Sequence, residues 1–183
     1  AYMMEEKHME HISGGVCAAK GFQAGGIHCG IRKNRGKRDI SMIVSEVPAS
    51  AAAVYTSNLV KGAPIYVTQR NLAGGIAQLA VCNSGNANTC NADGIAVAEE
   101  MSALTAAALH IAPQDVIVAS TGVIGQPLDL VPLRALGERA EHLARLARRA
   151  EDQSLAVTDE LAARHDGALV IVFEKALGNE LIQ

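Results

Sequence analysis

The sequence predicts a layered fold of the α/β or α+β class, and three observations carry that prediction. Short apolar runs that read as strands crowd the first half of the chain. Two later stretches repeat apolar residues at spacings of three and four, the period of one helix face. Strands come first and helices are interspersed after them, with no internal repeat or low-complexity linker dividing the 183 residues.

Taken in order, residues 1–13 are polar and read as a flexible lead-in, and residues 14–183 as a single domain. Residues 14–22 and 25–31 are apolar pieces punctuated by glycine, which suggests strands with bulges or close backbone approach. Residues 39–45 and 51–56 are clearer strands, with the turn 32–38 before the first. Residues 63–68 read as a strand that Pro64 starts or edges, and residues 78–82 as a buried strand. A helix is expected after the turn 91–94, with Ile95, Ala98, Met101, Leu104 and Ala108 on its apolar face. Residues 115–120 form the next strand, residues 133–150 a second amphipathic helix, and residues 168–173 a last strand. Hydrophobic residues make up 49% of the chain but aromatics only 3%, so the core must be built from Ala, Val, Ile and Leu.

Bulk properties exclude several functions. The net charge of −3 gives no electrostatic reason to expect nucleic acid. The one basic cluster, RKNRGKR at 32–38, has no aromatic residue among its five positive charges. It reads as a solvated hairpin loop or, more sharply, as an anion-steering patch beside a site. Cysteines 17, 29, 82 and 90 form no CxxC pair, and the six histidines lack metal-site spacing, so no metal is expected. No phosphate-binding glycine loop supports a nucleotide cofactor. The start has no signal-peptide core, and no stretch approaches the roughly 18 apolar residues of a membrane span. Free thiols make a reducing cytoplasm the expected compartment.

Two strand exits carry groups suited to chemistry. The first, residues 82–90 (CNSGNANTC), follows a buried strand with three asparagines, a serine and a glycine. Asparagine bonds its own backbone in turns, so the segment reads as a structural Asx-rich turn or as a polar scaffold beneath an active site. The second, residues 120–125 (STGVIG), leaves its strand through a hydroxyl residue and a glycine. Thr121 and Gly122 there suit an oxyanion hole, a hydroxyl and an N–H aimed at one point, as acyl transfer requires. An ordinary turn with a permissive glycine is the plainer reading.

Together the segments are more specific than any one alone. GGVCAAKGFQAGGIHCGIRK, EVPASAAAVYTSNLVKGAP, VCNSGNANTC and VIVASTGVIGQPL follow one another in the order and spacing of the ornithine acetyltransferase family, which the chain resembles densely over residues 14–130. The resemblance implies an α/β fold of stacked sheets flanked by helices, shared with related self-processing aminopeptidases. It implies a precursor that cuts itself before a threonine, which then heads a β chain as nucleophile. It also implies acetyl transfer from N-acetylornithine to glutamate for arginine biosynthesis, and an α2β2 assembly. No cofactor is implied, although some members accept acetyl-CoA as a donor. On this resemblance Thr121 and Gly122 match the family's oxyanion-hole motif, and Thr158 matches the second threonine of its substrate-contacting TTD segment, with Val157 departing from it. Residues 160–183 diverge: neither the family's lysine-glycine stretch nor its cleavage site is readable there, and Lys175 has no matching context. The expected role is therefore an α chain, inactive alone. The alternatives are a non-catalytic ligand-binding or interaction protein on the same scaffold, and a change of reaction to amide hydrolysis.

Overall fold

A computed structural model of the chain describes residues 15–135 and 170–174. Its frame is one mixed sheet. Strand β1 (Phe22–Ile27) pairs antiparallel with β2 (Ile40–Val54), and β2 pairs antiparallel with β3 (Ile76–Asn83). Strand β4 (Val116–Ser120) then lies parallel to β3. Strand β5 (Val170–Glu174) pairs antiparallel with the far half of β2. Helix α1 (Ala63–Asn71) precedes β3, α2 (Gly94–Leu109) connects β3 to β4, and the short α3 (Val131–Arg134) follows β4. A parallel pair needs a crossover connection, and α2 supplies it. The mixed α/β class expected from the sequence is the class observed.

The helices cover one face of the sheet. Met42, Leu79, Val81, Val116 and Val118 point from adjacent strands into a core shared with Val67 of α1 and Ala98, Met101 and Ala106 of α2. As the composition required, this core holds no Trp, and its buried hydrophobic members are aliphatic or Met. A smaller cluster of Leu72, Ala77 and Ile117 forms beside it, with Ala51, Ala53 and Ala80 packed against it.

Four expectations are corrected. In the expected strand 14–22, Gly14 lies outside the described residues and residues 15–21 form no strand: Gly15–Ala18 is a 3-10 turn, and β1 begins at Phe22 and stops at Ile27, short of residue 31. The separate strands expected at 39–45 and 51–56 are one strand, β2, whose register shifts between Val44 and Ala49. Pro48 sits in that interval, where pairing lapses and its missing N–H costs no ladder bond. Residues 63–68 are helical, not extended. Pro64 occupies the first turn of α1, where a proline N–H would be unsatisfied in any case. Val67 and Thr68, in the segment expected as a strand, are buried by α1 together with Pro64. Ile95 of α2 faces outward at 47% exposure, and the helix buries Ser102, Thr105 and Ala106 beside Ala98 and Met101. Beyond Ala135, the second amphipathic helix lies outside the described residues, as do the lead-in, Thr158 and Lys175.

Candidate active site

Strands β3 and β4 end side by side, Asn83 being the register partner of Ser120. The segments leaving them therefore run together beyond the carboxyl ends of two parallel strands, where ligand sites of α/β sheets concentrate. Each of the three asparagines braces this region. Asn83, fully buried, accepts the N–H groups of Gly85 (2.8 Å) and Asn86 (3.2 Å) on Oδ1 and donates Nδ2 to the Asn86 carbonyl at 2.6 Å. Asn86 Nδ2 donates to the carbonyls of Gln126 and Pro127, while its Oδ1 accepts the Asn88 N–H. Asn88 Nδ2 donates to the Gly94 carbonyl at the start of α2.

The segment after β4 is strapped onto this turn. Thr121 N donates to the Asn83 carbonyl at 2.8 Å, Ala87 N to the Val123 carbonyl at 2.9 Å, and Gly125 N to the Thr89 carbonyl at 3.3 Å. Gly122 adopts φ +128°, and a Cβ there would stand 2.5 Å from the Gly85 carbonyl carbon and 2.7 Å from Asn86 N. These bonds account for the backbone on both sides of Gly122. Among the described residues, nothing bonds the Thr121 hydroxyl or the Gly122 N–H; Thr121 is half-buried and Gly122 exposed. Two neighbouring donors are thus free at the mouth of a braced turn.

The basic loop turns out to be built around an acid. Asp39, buried just before β2, accepts Cys29 N on Oδ1 (2.6 Å) and the N–H groups of Gly30 (3.1 Å) and Arg32 (2.9 Å) on Oδ2. Burial opposes its ionisation, but the N–H donors of Arg32 and Cys29, the Cys29 thiol and the Gly30 N–H outweigh that and hold the carboxyl below the ordinary carboxylate value. His28 Nδ1 lies 3.2 Å from Asp39 Oδ2 and 3.0 Å from the Lys37 carbonyl. The loop in turn clamps the asparagine segment. Arg32 Nε donates to the Ser84 carbonyl at 2.6 Å, with Nη2 bonding the same oxygen, and Ser84 N donates to the Asp39 carbonyl at 2.9 Å. Arg32 is therefore neither wholly solvated nor free to steer an anion. Sequence reasoning missed Asp39, because an aspartate ahead of a strand gives no sign of which amides will fold back onto it.

Other candidate groups fall away. Burial, with Asp39 beside it, pushes the Cys29 thiol up to about 12, and burial pushes Cys82 up to about 11, so neither is a ready nucleophile. All four cysteines are free. Among the described residues no group of three or more His, Cys, Asp or Glu gathers for a metal, and no helix is long and apolar enough to cross a membrane.

Comparison with known proteins converges on one family. The model of the ArgJ family matches residues 23–169. An arginine biosynthesis bifunctional protein ArgJ from Symbiobacterium thermophilum is 42% identical over 184 residues, covering 95% of this chain and 46% of that protein. Its counterpart from Bacillus subtilis is 43% identical over 134 residues, 72% of this chain and 32% of that protein. The chain thus spans under half the length of these curated relatives. A crystal structure of the ArgJ protein from Bacillus halodurans is similar at a TM-score of 0.66 and 34% identity, covering 93% of both chains. Ornithine acetyltransferase from Mycobacterium tuberculosis, solved with ornithine, is similar at 0.65 and 29% identity, covering 92% of this chain and 94% of that one.

Proposed function

Because the chain belongs to the ArgJ family, we propose that it is the α-side part of an arginine-biosynthesis acetyltransferase that moves acetyl from N-acetylornithine to glutamate. The observation that carries this reading is the pair of unpartnered donors, the Thr121 hydroxyl and the Gly122 N–H, held by the turn after β3. The nucleophile is a threonine at the head of a second chain, produced by self-cleavage of a longer precursor. Its hydroxyl oxygen attacks the acetyl carbonyl of N-acetylornithine, and its proton passes to its own α-amine. The carbonyl oxygen becomes an oxyanion and receives the Thr121 O–H and Gly122 N–H. The C–N bond then breaks, ornithine leaves with the proton from the α-amine, and the acetyl group remains on the threonine. Glutamate's amine reverses these steps and leaves as N-acetylglutamate. Thr158 contacts substrate in this reading, and no cofactor takes part; acetyl-CoA, where used, is a donor substrate.

A two-chain protein is supported by a contrast in coverage. The chain accounts for 46% of the Symbiobacterium protein but for 93% and 94% of the matched polypeptides in the two crystal structures. We assign an α2β2 assembly in the cytoplasm on the family resemblance.

Thr121→Val in the complete enzyme tests the oxyanion role. Loss of one such donor costs roughly 3–4 kcal/mol, so acetyl transfer should fall by about two to three orders of magnitude with folding largely intact. A rate within about threefold of wild type would remove Thr121 from that role.

A further inference from the structure

We infer that Asn83 is a positioning residue for the oxyanion hole, setting the Thr121 hydroxyl and the Gly122 N–H where the developing negative charge forms. This deepens the acetyltransferase reading and rests on it. The structural basis is a set of contacts that all pass through one buried side chain. Asn83 is fully buried, and both polar atoms of its amide are bonded: Oδ1 to two successive N–H groups, Nδ2 to one carbonyl. Its own carbonyl takes the Thr121 N–H at 2.8 Å, which fixes the peptide leading into the hole. The amides it holds, Gly85 and Asn86, belong to the backbone against which Gly122 rests; the Cβ position of Gly122 is 2.5 Å from the Gly85 carbonyl carbon and 2.6 Å from its oxygen.

From the other side, the Arg32 guanidinium bonds the Ser84 carbonyl, and Ile31 closes on Gly85, whose Cβ position is 2.4 Å from Ile31 Cγ2. Gly85 is therefore pinned between the basic loop and Gly122, and Asn83 decides how its peptide is turned. Without the Asn83 amide, two N–H groups and one carbonyl lose their partners together. The turn then has to rotate to find others, and Gly122 moves with it. A displacement near 1 Å at a catalytic group is enough to cost about 100-fold in rate. Asn83 touches no reacting atom, so its effect falls on the transition state and spares substrate binding.

The test uses the complete, cleaved enzyme, with active sites counted as acetylated threonine after exposure to N-acetylornithine alone. Asn83→Ala should retain its site count and a KM for N-acetylornithine within about threefold of wild type, while kcat per counted site falls about 10- to 100-fold. Asn83→Asp supplies a readout that a merely structural role does not move. It keeps the Oδ1 acceptor but turns a second acceptor toward the Asn86 carbonyl, unless the carboxyl is protonated and donates there. Its kcat per site, divided by that of wild type at each pH, should therefore rise as pH falls. Either a loss confined to the site count or a failure of both variants to assemble overturns the inference, since Asn83 would then serve folding alone. So does a per-site kcat within threefold of wild type in both variants, with Thr121→Val still impaired; the oxyanion reading would then stand without Asn83. If Thr121→Val itself runs at the wild-type rate, that reading fails and the inference fails with it.

Discussion

Gly122 answers to two separate demands, and they can be told apart by experiment. Its φ of +128° disfavours any L side chain, and a Cβ would meet the Gly85 backbone at 2.5 Å. Gly125, three residues on, has φ +74° with nothing within 4 Å of its Cβ position. Alanine at 125 should therefore cost only the backbone term, about 1–2 kcal/mol. Alanine at 122 adds the displacement of a braced turn, for a total of about 2–5 kcal/mol. Denaturant unfolding of the two variants checks the order; equal losses would mean that the Gly85 contact is soft. The sequence singles out Thr121 and Gly122 through a local pattern, a hydroxyl residue and a glycine at a strand exit, and the structure leaves the Thr121 hydroxyl and the Gly122 N–H unbonded there among the described residues. Asp39 was not legible, since its worth comes from amides up to ten residues earlier that fold back onto it. Its carboxyl is held below the ordinary value, so its contribution is fully present above about pH 4 and is lost as pH falls through the folded value. An amide in place of the carboxylate would set an NH2 group against N–H donors in either orientation. Asp39→Asn should thus lower the unfolding free energy at pH 7 by about 1–3 kcal/mol and flatten the acid limb below about pH 4. An unchanged acid limb in the variant would assign that limb to other carboxyls.

Among the elements, α1 shows most clearly how tertiary context overrides local pattern. Residues 63–68 read as a strand in the sequence, yet the chain forms a helix there. Among the described residues, strand β4 ends the β1-β2-β3-β4 path, and the outward groups of Val116 and Val118 have no strand there to bond. An unpaired sheet edge is a liability, and α1 covers this one with side chains. The Thr68 hydroxyl donates to the Val118 carbonyl at 2.7 Å and accepts the Val118 N–H at 3.0 Å, while Asn71 Nδ2 donates to the Val116 carbonyl at 2.8 Å. No propensity scale contains that requirement, because it exists only once β4 has neighbours. Thr68→Val keeps the shape but leaves two buried backbone groups without partners, and should cost about 2–3 kcal/mol of stability. Thr68→Ser retains the hydroxyl and should recover most of it. Equal melting temperatures for the Val and Ser variants would show the hydroxyl bonds to be dispensable. The long β2 is the converse case: its two halves were legible, but not their continuity, which β3 spans by pairing on both sides of Pro48 with a register shift between Val44 and Ala49.

For the whole molecule, the question is what completes the surface around the candidate site. Leu59 is 92% exposed, and Val60, Val123 and Ile124 are exposed beside it in sequence or across the turn. The segments bearing them converge on residues 87–89: Ala63 N bonds the Asn88 carbonyl, and Ala87 N bonds the Val123 carbonyl. Scattered exposed aliphatics need no explanation, but the proposed two-chain reading calls for a surface that a second chain covers, and these exposed residues lie on segments that meet the turn beside Thr121 and Gly122. Under that two-chain reading the occupant is the second chain; the curated relatives are more than twice as long as the part of them that this chain matches. That second chain would bring the nucleophile to Thr121 and Gly122 while covering the aliphatic rim. Expressed from its complete coding sequence, the protein should therefore yield two co-purifying polypeptides by mass, the second beginning with threonine. The 183-residue chain made alone should bind a hydrophobic dye, and the second chain should suppress that signal on mixing. Leu59→Glu combined with Ile124→Glu should weaken co-purification at least about tenfold with little change in the melting of the isolated chain, since both side chains already face solvent there. A single uncleaved polypeptide with full acetyl transfer would sink the two-chain reading. Co-purification indifferent to both substitutions would move the contact surface away from this rim.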